Sequence, residues 1–137
     1  MTFESLPNSE NLNYKKIEVP FGTYYLCDTF FISELNEGVH LDWEKCLLII
    51  NQLMEHYGPN SKIGYISNRI NHFSVNPSNW TKIEKNYNFI YASAIVVYNN
   101  SNLMNASIEK QFTNIPMKKC MSIIEAVEWM QNFKALN

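Results

Sequence analysis

A nearly continuous apolar run over residues 88–98 is the feature that most constrains how this chain can fold. A strand with one face in water alternates apolar and polar residues, whereas a strand covered on both faces is apolar throughout. We therefore expect this run to form a central strand that lies parallel to its neighbours. The run contains Phe89, Ile90, Ala92, Ala94, Ile95, Val96 and Val97.

The segments on either side of this run indicate an alternation of strands and helices. Two strand-like segments come before the first helical pattern, and helices and strands then follow one another to the end of the chain. Such an order is typical of an α/β layer fold with right-handed crossovers. We expect a single domain over residues 14–137, preceded by a loose polar lead-in over residues 1–13. Its mixed, mostly parallel sheet would have five strands, at 14–19, 23–35, 62–68, 88–98 and 116–121, packed with four helices.

Capping signals mark where the helices begin. Asp42 opens the clearest helical pattern, which Gly58 and Pro59 end. Asn76 can cap a second helix with a proline in its first turn, and a third follows the Asn-rich turn at residues 99–102. Ser122 and Glu125 have the spacing of a capping box, which predicts the last helix.

Apolar spacing within these elements predicts the core. The expected core residues are Leu47, Ile50, Ile66, Ile95, Val97, Ile108, Val127 and Met130. The third helix carries Leu103, Met104, Ile108 and Phe112, of which Ile108 is expected in the core. Tyr24-Tyr25 and Phe30-Phe31 are adjacent pairs, so the two rings of each pair point to opposite faces of the sheet. An uncovered outer face would suit a partner, a second copy or a lipid tail.

Composition and charge exclude several classes of protein. The chain has 137 residues, 46% hydrophobic and 18% charged, with a formal net charge of -2. It contains a single arginine, Arg69, which argues against a nucleic-acid binder because such proteins cluster Lys and Arg. Three scattered cysteines suit a reducing compartment. No signal-peptide pattern or apolar run of about 20 residues is present, so we expect a cytoplasmic protein that is not an integral membrane protein.

The order of elements resembles that of STAS domains, the family of the bacterial anti-sigma-factor antagonists, and a CRAL-TRIO-like lipid-binding fold is a related comparison. The resemblance covers residues 14–136 and rests on element order, on the run at 36–43 before the first helix, and on the buried strand at 90–97. It implies a regulatory module that binds a protein partner. Antagonists carry a phosphorylated Ser or Thr after an Asp where the third strand meets the second helix. The corresponding run, residues 66–78, has no such pair, so this switch is not transferred.

Motifs for metal, nucleotide and nucleophilic chemistry are missing. His40, His56 and His72 stand in no ligand spacing, and four glycines are too few for the known phosphate-binding loops. We therefore expect no metal, no cofactor and no enzymatic activity. Two alternatives stay open: a carrier of a small molecule or lipid tail, and a small hydrolase or transferase whose site follows no motif.

The loop over residues 67–75 is the strongest candidate for recognition. It follows a strand at the carboxyl edge of the sheet, where open α/β folds bind their ligands, and it leads to a helix N-terminus. The candidate recognition residues are Ser67, Asn68, Arg69, Asn71, His72, Ser74, Ser78, Asn99, Asn100 and Ser101. A guanidinium binds carboxylate or phosphate at two points, so a protein partner or an anionic small molecule is expected here, with a homo-oligomer possible. Arg69→Ala is then expected to weaken binding and leave folding intact.

Overall fold

A computed structural model describes every residue from Met1 to Asn137. Its main sheet has six strands in the order β1-β2-β3-β5-β7-β8, and a separate two-stranded sheet pairs β4 with β6. The pairings of β1 with β2 and of β2 with β3 are antiparallel, and the other pairings are parallel. The strands are β1 Lys15–Val19, β2 Gly22–Leu26, β3 Phe30–Leu35, β4 His40–Leu41, β5 Ile63–Asn68, β6 Ser74–Val75, β7 Ile90–Val96 and β8 Met117–Cys120.

Helices cover both faces of the main sheet. They are α1 Trp43–Tyr57, α2 Ser78–Asn86, α3 Asn100–Lys110 and α4 Ile123–Gln131. Each helix begins within two residues of its predicted capping signal. The first three pack on one face, and α4 packs on the other. The Asp42 and Ser122 side chains cap α1 and α4. None of these helices is long and apolar enough to cross a membrane.

The apolar run forms β7, which lies between two parallel neighbours, β5 and β8. Ala94 and Val96 pack towards α4, while Ile95 packs towards α2 and α3. These three residues are fully buried. The expectation of a central parallel strand is confirmed, and so is the mixed, mostly parallel α/β fold.

The number of strands was predicted incorrectly, because the segment 23–35 is two strands rather than one. A tight turn at Asp28 and Thr29 reverses the chain, and the Cys27 N–H donates to the Phe30 carbonyl at 2.9 Å. Neither turn residue is a glycine or a proline, so the strand pattern runs through the turn without a break. The extra strand makes a sheet of six strands rather than five.

Most of the predicted core is buried. Ile50, Ile66, Ile95, Val97, Val127 and Met130 are buried as expected. Two predictions were wrong: Leu47 is only half-buried, and Ile108 is 45% exposed. The aromatic pairs divide between the faces, with Tyr24 and Phe31 towards α1 and Tyr25 and Phe30 towards α4. All four rings are buried, so neither face of these strands is left uncovered.

The N-terminal segment packs against the sheet beside α4 instead of hanging loose. Phe3 is fully buried, and its ring contacts Tyr14 edge-on at 5.0 Å and Tyr25 at 4.8 Å between centroids. Leu6 belongs to the same cluster. The buried side chains of Phe3 and Leu6 therefore anchor this segment on the part of the sheet face that α4 leaves uncovered.

Phe3→Ala should lower the free energy of unfolding by about 3–5 kcal/mol, the range for an aromatic ring removed from a core. Urea denaturation measures this change. Pro7→Ala, at an exposed position of the same segment, is the control and should shift stability by less than about 0.5 kcal/mol. Equal effects of the two substitutions would show that the segment does not contribute to the core.

Candidate functional site

The loop after β5 is tied to the loop before α1 by main-chain hydrogen bonds. The Gly38 N–H donates to the His72 carbonyl at 2.7 Å, and the Ser74 N–H donates to the Val39 carbonyl at 2.9 Å. The parallel pairing of β4 with β6 continues this contact. The loop at the carboxyl edge is therefore held in one position by its neighbour.

Arg69 lies inside the protein, where it pairs with Glu109 of α3. Its Nη1 and Nη2 donate to the two carboxylate oxygens at 2.6 and 2.7 Å, and both side chains are at least 95% buried. Arg69 Nε donates to Ser67 Oγ at 3.0 Å, and Trp80 Nε1 donates to Glu109 Oε1 at 2.9 Å. Every oxygen of the carboxylate thus has a donor, as a buried ion pair needs.

This position corrects the prediction that Arg69 binds an external anion, because both terminal nitrogens of its guanidinium already donate to Glu109. Ser67 and Asn68 are likewise buried. Asn71 and Ser78 are half-buried, and their side chains already donate hydrogen bonds, Asn71 to the Leu35 carbonyl and Ser78 to Asn76 Oδ1. The candidate residues that remain exposed are His72, Ser74, Asn99, Asn100 and Ser101.

A second polar cluster lies at the same edge, on the face covered by α4. Glu34, at the end of β3, accepts hydrogen bonds at one carboxylate oxygen from the Phe3 N–H at 2.7 Å and from Asn68 Nδ2 at 2.8 Å. The Tyr98 hydroxyl donates to Asn68 Oδ1 at 2.6 Å. Burial, and then the charge of Glu34, raise the pKa of Tyr98. The ends of three adjacent strands thus hold the N-terminal segment in place.

Helix α3 buries two polar residues, Asn102 and Glu109. Asn99 Oδ1 accepts from the Asn102 N–H at 2.8 Å, and Asn102 Oδ1 accepts from the Tyr98 N–H at 2.9 Å, so the cap draws Asn102 against the sheet. One turn later Ala106 packs on Ile95 and Val97. Glu109 follows at the next turn and meets Arg69. These two spacings, of four and three residues, place Asn102, Ala106 and Glu109 on the buried face.

The large apolar residues of α3 and of the turn after it are consequently partly exposed, which corrects the prediction that Ile108 belongs to the core. The exposed fractions are 41% for Leu103, 66% for Met104, 45% for Ile108 and 40% for Phe112. Together these four residues are the apolar stripe of α3. The stripe was identified by its spacing, but spacing alone does not say which face of a helix is covered.

An open groove of about 470 Å³ connects the stripe with the loop at the carboxyl edge. Met104 and Ile108 line it on one side, and His72 and Ser74 on the other. Ser74 Oγ and His40 Nδ1 lie 2.7 Å apart, within hydrogen-bond distance. Exposed residues of the predicted recognition loop therefore share one surface with the stripe.

Lysines border the stripe on the side of β8. Lys110, at the end of α3, lines a shallow surface depression together with Lys118 and Lys119. Lys119 Nζ donates to Ser107 Oγ on α3 at 2.7 Å, and Lys118 pairs with Glu125 at 3.6 Å. Lys110 has no acidic partner within 4 Å. The edge of the stripe is therefore positively charged.

The thiols and the possible metal ligands are not arranged for thiolate or metal chemistry. Burial raises the pKa of the Cys27 and Cys46 thiols to about 12 and that of Cys120 to about 11, so all three stay protonated near neutral pH. No three His, Cys, Asp or Glu side chains come together as metal ligands.

Four residues of these clusters were missed in the sequence: Glu34, Tyr98, Trp80 and Glu109. Glu34 had a usable signal, since it is the one acid in the apolar segment 30–35 and follows Ser33 at the carboxyl end of the strand. Glu109 had none, because its partner lies 40 residues away in the chain.

Comparisons with known proteins bear on the fold. No protein-family model matches the chain, and no curated protein matches it significantly by sequence. Among solved structures it is similar to an uncharacterized protein of the DUF3478 family with a SpoIIAA-like fold, from Shewanella loihica PV-4. The identity is 12% and the TM-score 0.52, over 87% of this chain and 93% of that one. The fold of this chain is SpoIIAA-like. The STAS-like fold expected from element order is thereby confirmed, and at this identity the likeness concerns the fold alone.

Arg69→Met should lower the free energy of unfolding by about 3–5 kcal/mol, because it leaves the Glu109 carboxylate buried without its cation. Replacing both partners, as Arg69→Met with Glu109→Leu, should restore most of that loss. Chemical denaturation of the three variants and wild type measures both effects.

Lys16→Met is the control, since Lys16 pairs with Glu4 at the surface at 3.0 Å, and it should cost less than about 1 kcal/mol. If the free energy of unfolding of Arg69→Met lies within about 0.5 kcal/mol of the wild-type value, Arg69 is a solvated loop residue and the buried ion pair is wrong.

Proposed function

We propose that this protein is a non-enzymatic binding module that docks a protein partner through the stripe and the groove beside it. This docking surface consists of His72, Ser74, Ser101, Leu103, Met104, Ile108 and Phe112. It unites the exposed part of the predicted recognition loop with the outer face of α3.

The outward orientation of α3 is the observation that carries this proposal. The helix buries an amide and a carboxylate while it exposes a leucine, a methionine, an isoleucine and, just after its end, a phenylalanine. Hydrophobic burial alone would favour the opposite orientation, because each of these partly exposed side chains forgoes a fraction of the about 1.5–3 kcal/mol that full burial contributes. Contiguous exposed apolar surface marks interaction sites, and aromatic residues and Met are enriched in interfaces.

The charge around the stripe indicates the chemistry of the partner. Lys110 and Lys119 border it, and the only acid of α3, Glu109, is neutralised inside the protein. A matching partner presents an apolar face bordered by Asp or Glu, because complementary charge at an interface edge speeds association and rejects wrong partners. A second copy of this chain would bring lysines against lysines and is less well matched.

The state of the reactive groups supports a binding role over catalysis. The one guanidinium is bonded to Glu109, the thiols are protonated, and Glu34 accepts from the chain's own N-terminal segment. Three buried free thiols also fit a cytoplasmic location, which we include in the proposal.

Site-specific photo-crosslinking in the native host tests the proposal. A photoreactive side chain replaces Met104 in one strain and Leu48 of α1, a similarly exposed apolar residue at 43%, in another. We expect a defined protein to be cross-linked from position 104 only. That protein, purified, should bind Ile108→Ser and Lys110→Glu at least about tenfold more weakly than wild type, as for substitutions central to an interface.

Leu48→Ser is the matched control and should bind like wild type. Three results would overturn the proposal: equal weakening by Ile108→Ser and Leu48→Ser, cross-links only between copies of this chain, or partner binding that none of the substitutions changes. Enzymatic turnover lost on a point substitution would refute the non-enzymatic part.

A further inference from the structure

A small cavity lies between the main sheet and helices α1, α2 and α3, away from the docking surface. Its volume is about 50 Å³. Most of its wall is apolar and is formed by strands β2, β3, β5 and β7 and by the helices above them. The lining includes Phe31, Ile50, Tyr65, Asn79, Trp80 and Ile83.

One acceptor in this wall has no partner. Asn79 is 2% exposed, and its Nδ2 donates to the Leu41 carbonyl at 2.8 Å, which fixes the orientation of the amide. Its Oδ1 is the single buried side-chain nitrogen or oxygen in the protein without a hydrogen bond. Buried polar groups are nearly always bonded, so an isolated acceptor beside a cavity indicates a donor that the cavity receives.

The other polar groups of the wall are already satisfied among themselves. Arg69 and Glu109 neutralise each other, and Trp80 Nε1 donates to the same carboxylate. The Tyr65 hydroxyl lies 2.6 Å from Ser33 Oγ, and burial raises its pKa so that it stays neutral. The cavity offers no net charge, which excludes an ionic ligand.

Size and polarity together define what fits. The volume lies between the roughly 30 Å³ share of a water molecule and the roughly 150 Å³ cavity that holds benzene. A buried water needs 2–4 polar partners, roughly, whereas this wall supplies one free acceptor among apolar groups. We propose that the cavity is a binding site for a small neutral molecule with one hydroxyl donor and a short apolar body, the chemistry of a short-chain alcohol.

Ethanol and acetonitrile are the probes that test this site, because each has three non-hydrogen atoms and only ethanol has a hydroxyl donor. Each is titrated into isotope-labelled full-length protein while the NMR signals of the Asn79 side-chain amide and the Trp80 indole N–H are followed. Ethanol should shift both signals saturably and bind about fivefold more tightly than acetonitrile, as one added hydrogen bond predicts.

Asn79→Leu should abolish this preference, because it removes the acceptor at similar volume while the Leu41 carbonyl keeps its bond from the Asn76 N–H at 3.2 Å. Asn86→Leu, at an exposed position of α2, should keep the preference.

Wild-type protein supplies a test that does not depend on the variant folding. Nuclear Overhauser contacts should join the ethanol methyl group to ring protons of Phe31 and Trp80. Their absence, equal binding of the two probes, unsaturable shifts, or an unchanged preference in Asn79→Leu would each overturn the proposal.

Discussion

The buried ion pair between Arg69 and Glu109 is the interaction on which the proposed docking surface depends. Removing two charges from water is costly, and the cost is recovered only when geometry and additional hydrogen bonds are both good. Here two guanidinium nitrogens of Arg69 donate to the two carboxylate oxygens of Glu109. Ser67 accepts a further hydrogen bond from Arg69, and Trp80 donates one to Glu109. The pair joins the loop after β5 to α3, 40 residues further along the chain.

The rotation of α3 follows from this pair. Glu109 can reach Arg69 only if its side of the helix faces the sheet, and on a helix the residues three and seven positions earlier share that side. Those residues are Ala106, small enough for close packing, and Asn102, which bonds to the Tyr98 N–H. Met104 and Ile108 then face outward. A polar contact inside the protein thereby leaves apolar side chains exposed outside it, so one interaction links stability with the proposed docking surface.

Elements whose signals are local were predictable from the sequence. The apolar run of β7 needs no partner to be recognised, and Asp42 and Ser122 mark helix starts through their own side chains. The turn at Asp28 and Thr29 was missed because it contains no glycine or proline and lies between two apolar, aromatic segments, so one strand was predicted where two exist. Arg69 was placed in solvent because a lone charge in a polar loop gives no sign of a partner on a distant helix. Ile108 was placed in the core because the spacing of apolar residues does not show which face of a helix is covered. Long-range pairing, which no local pattern encodes, accounts for these last two errors.

The orientation of α3 can be measured directly with a water-soluble paramagnetic agent and methyl-labelled protein. The agent broadens the signals of methyl groups that solvent reaches. The methyl signals of Met104, 66% exposed, and of Ile108 should broaden strongly, while that of Ala106, fully buried, should stay sharp. A sharp Ile108 signal together with a broadened Ala106 signal would show the helix turned the other way, with its apolar residues in the core and Glu109 in water.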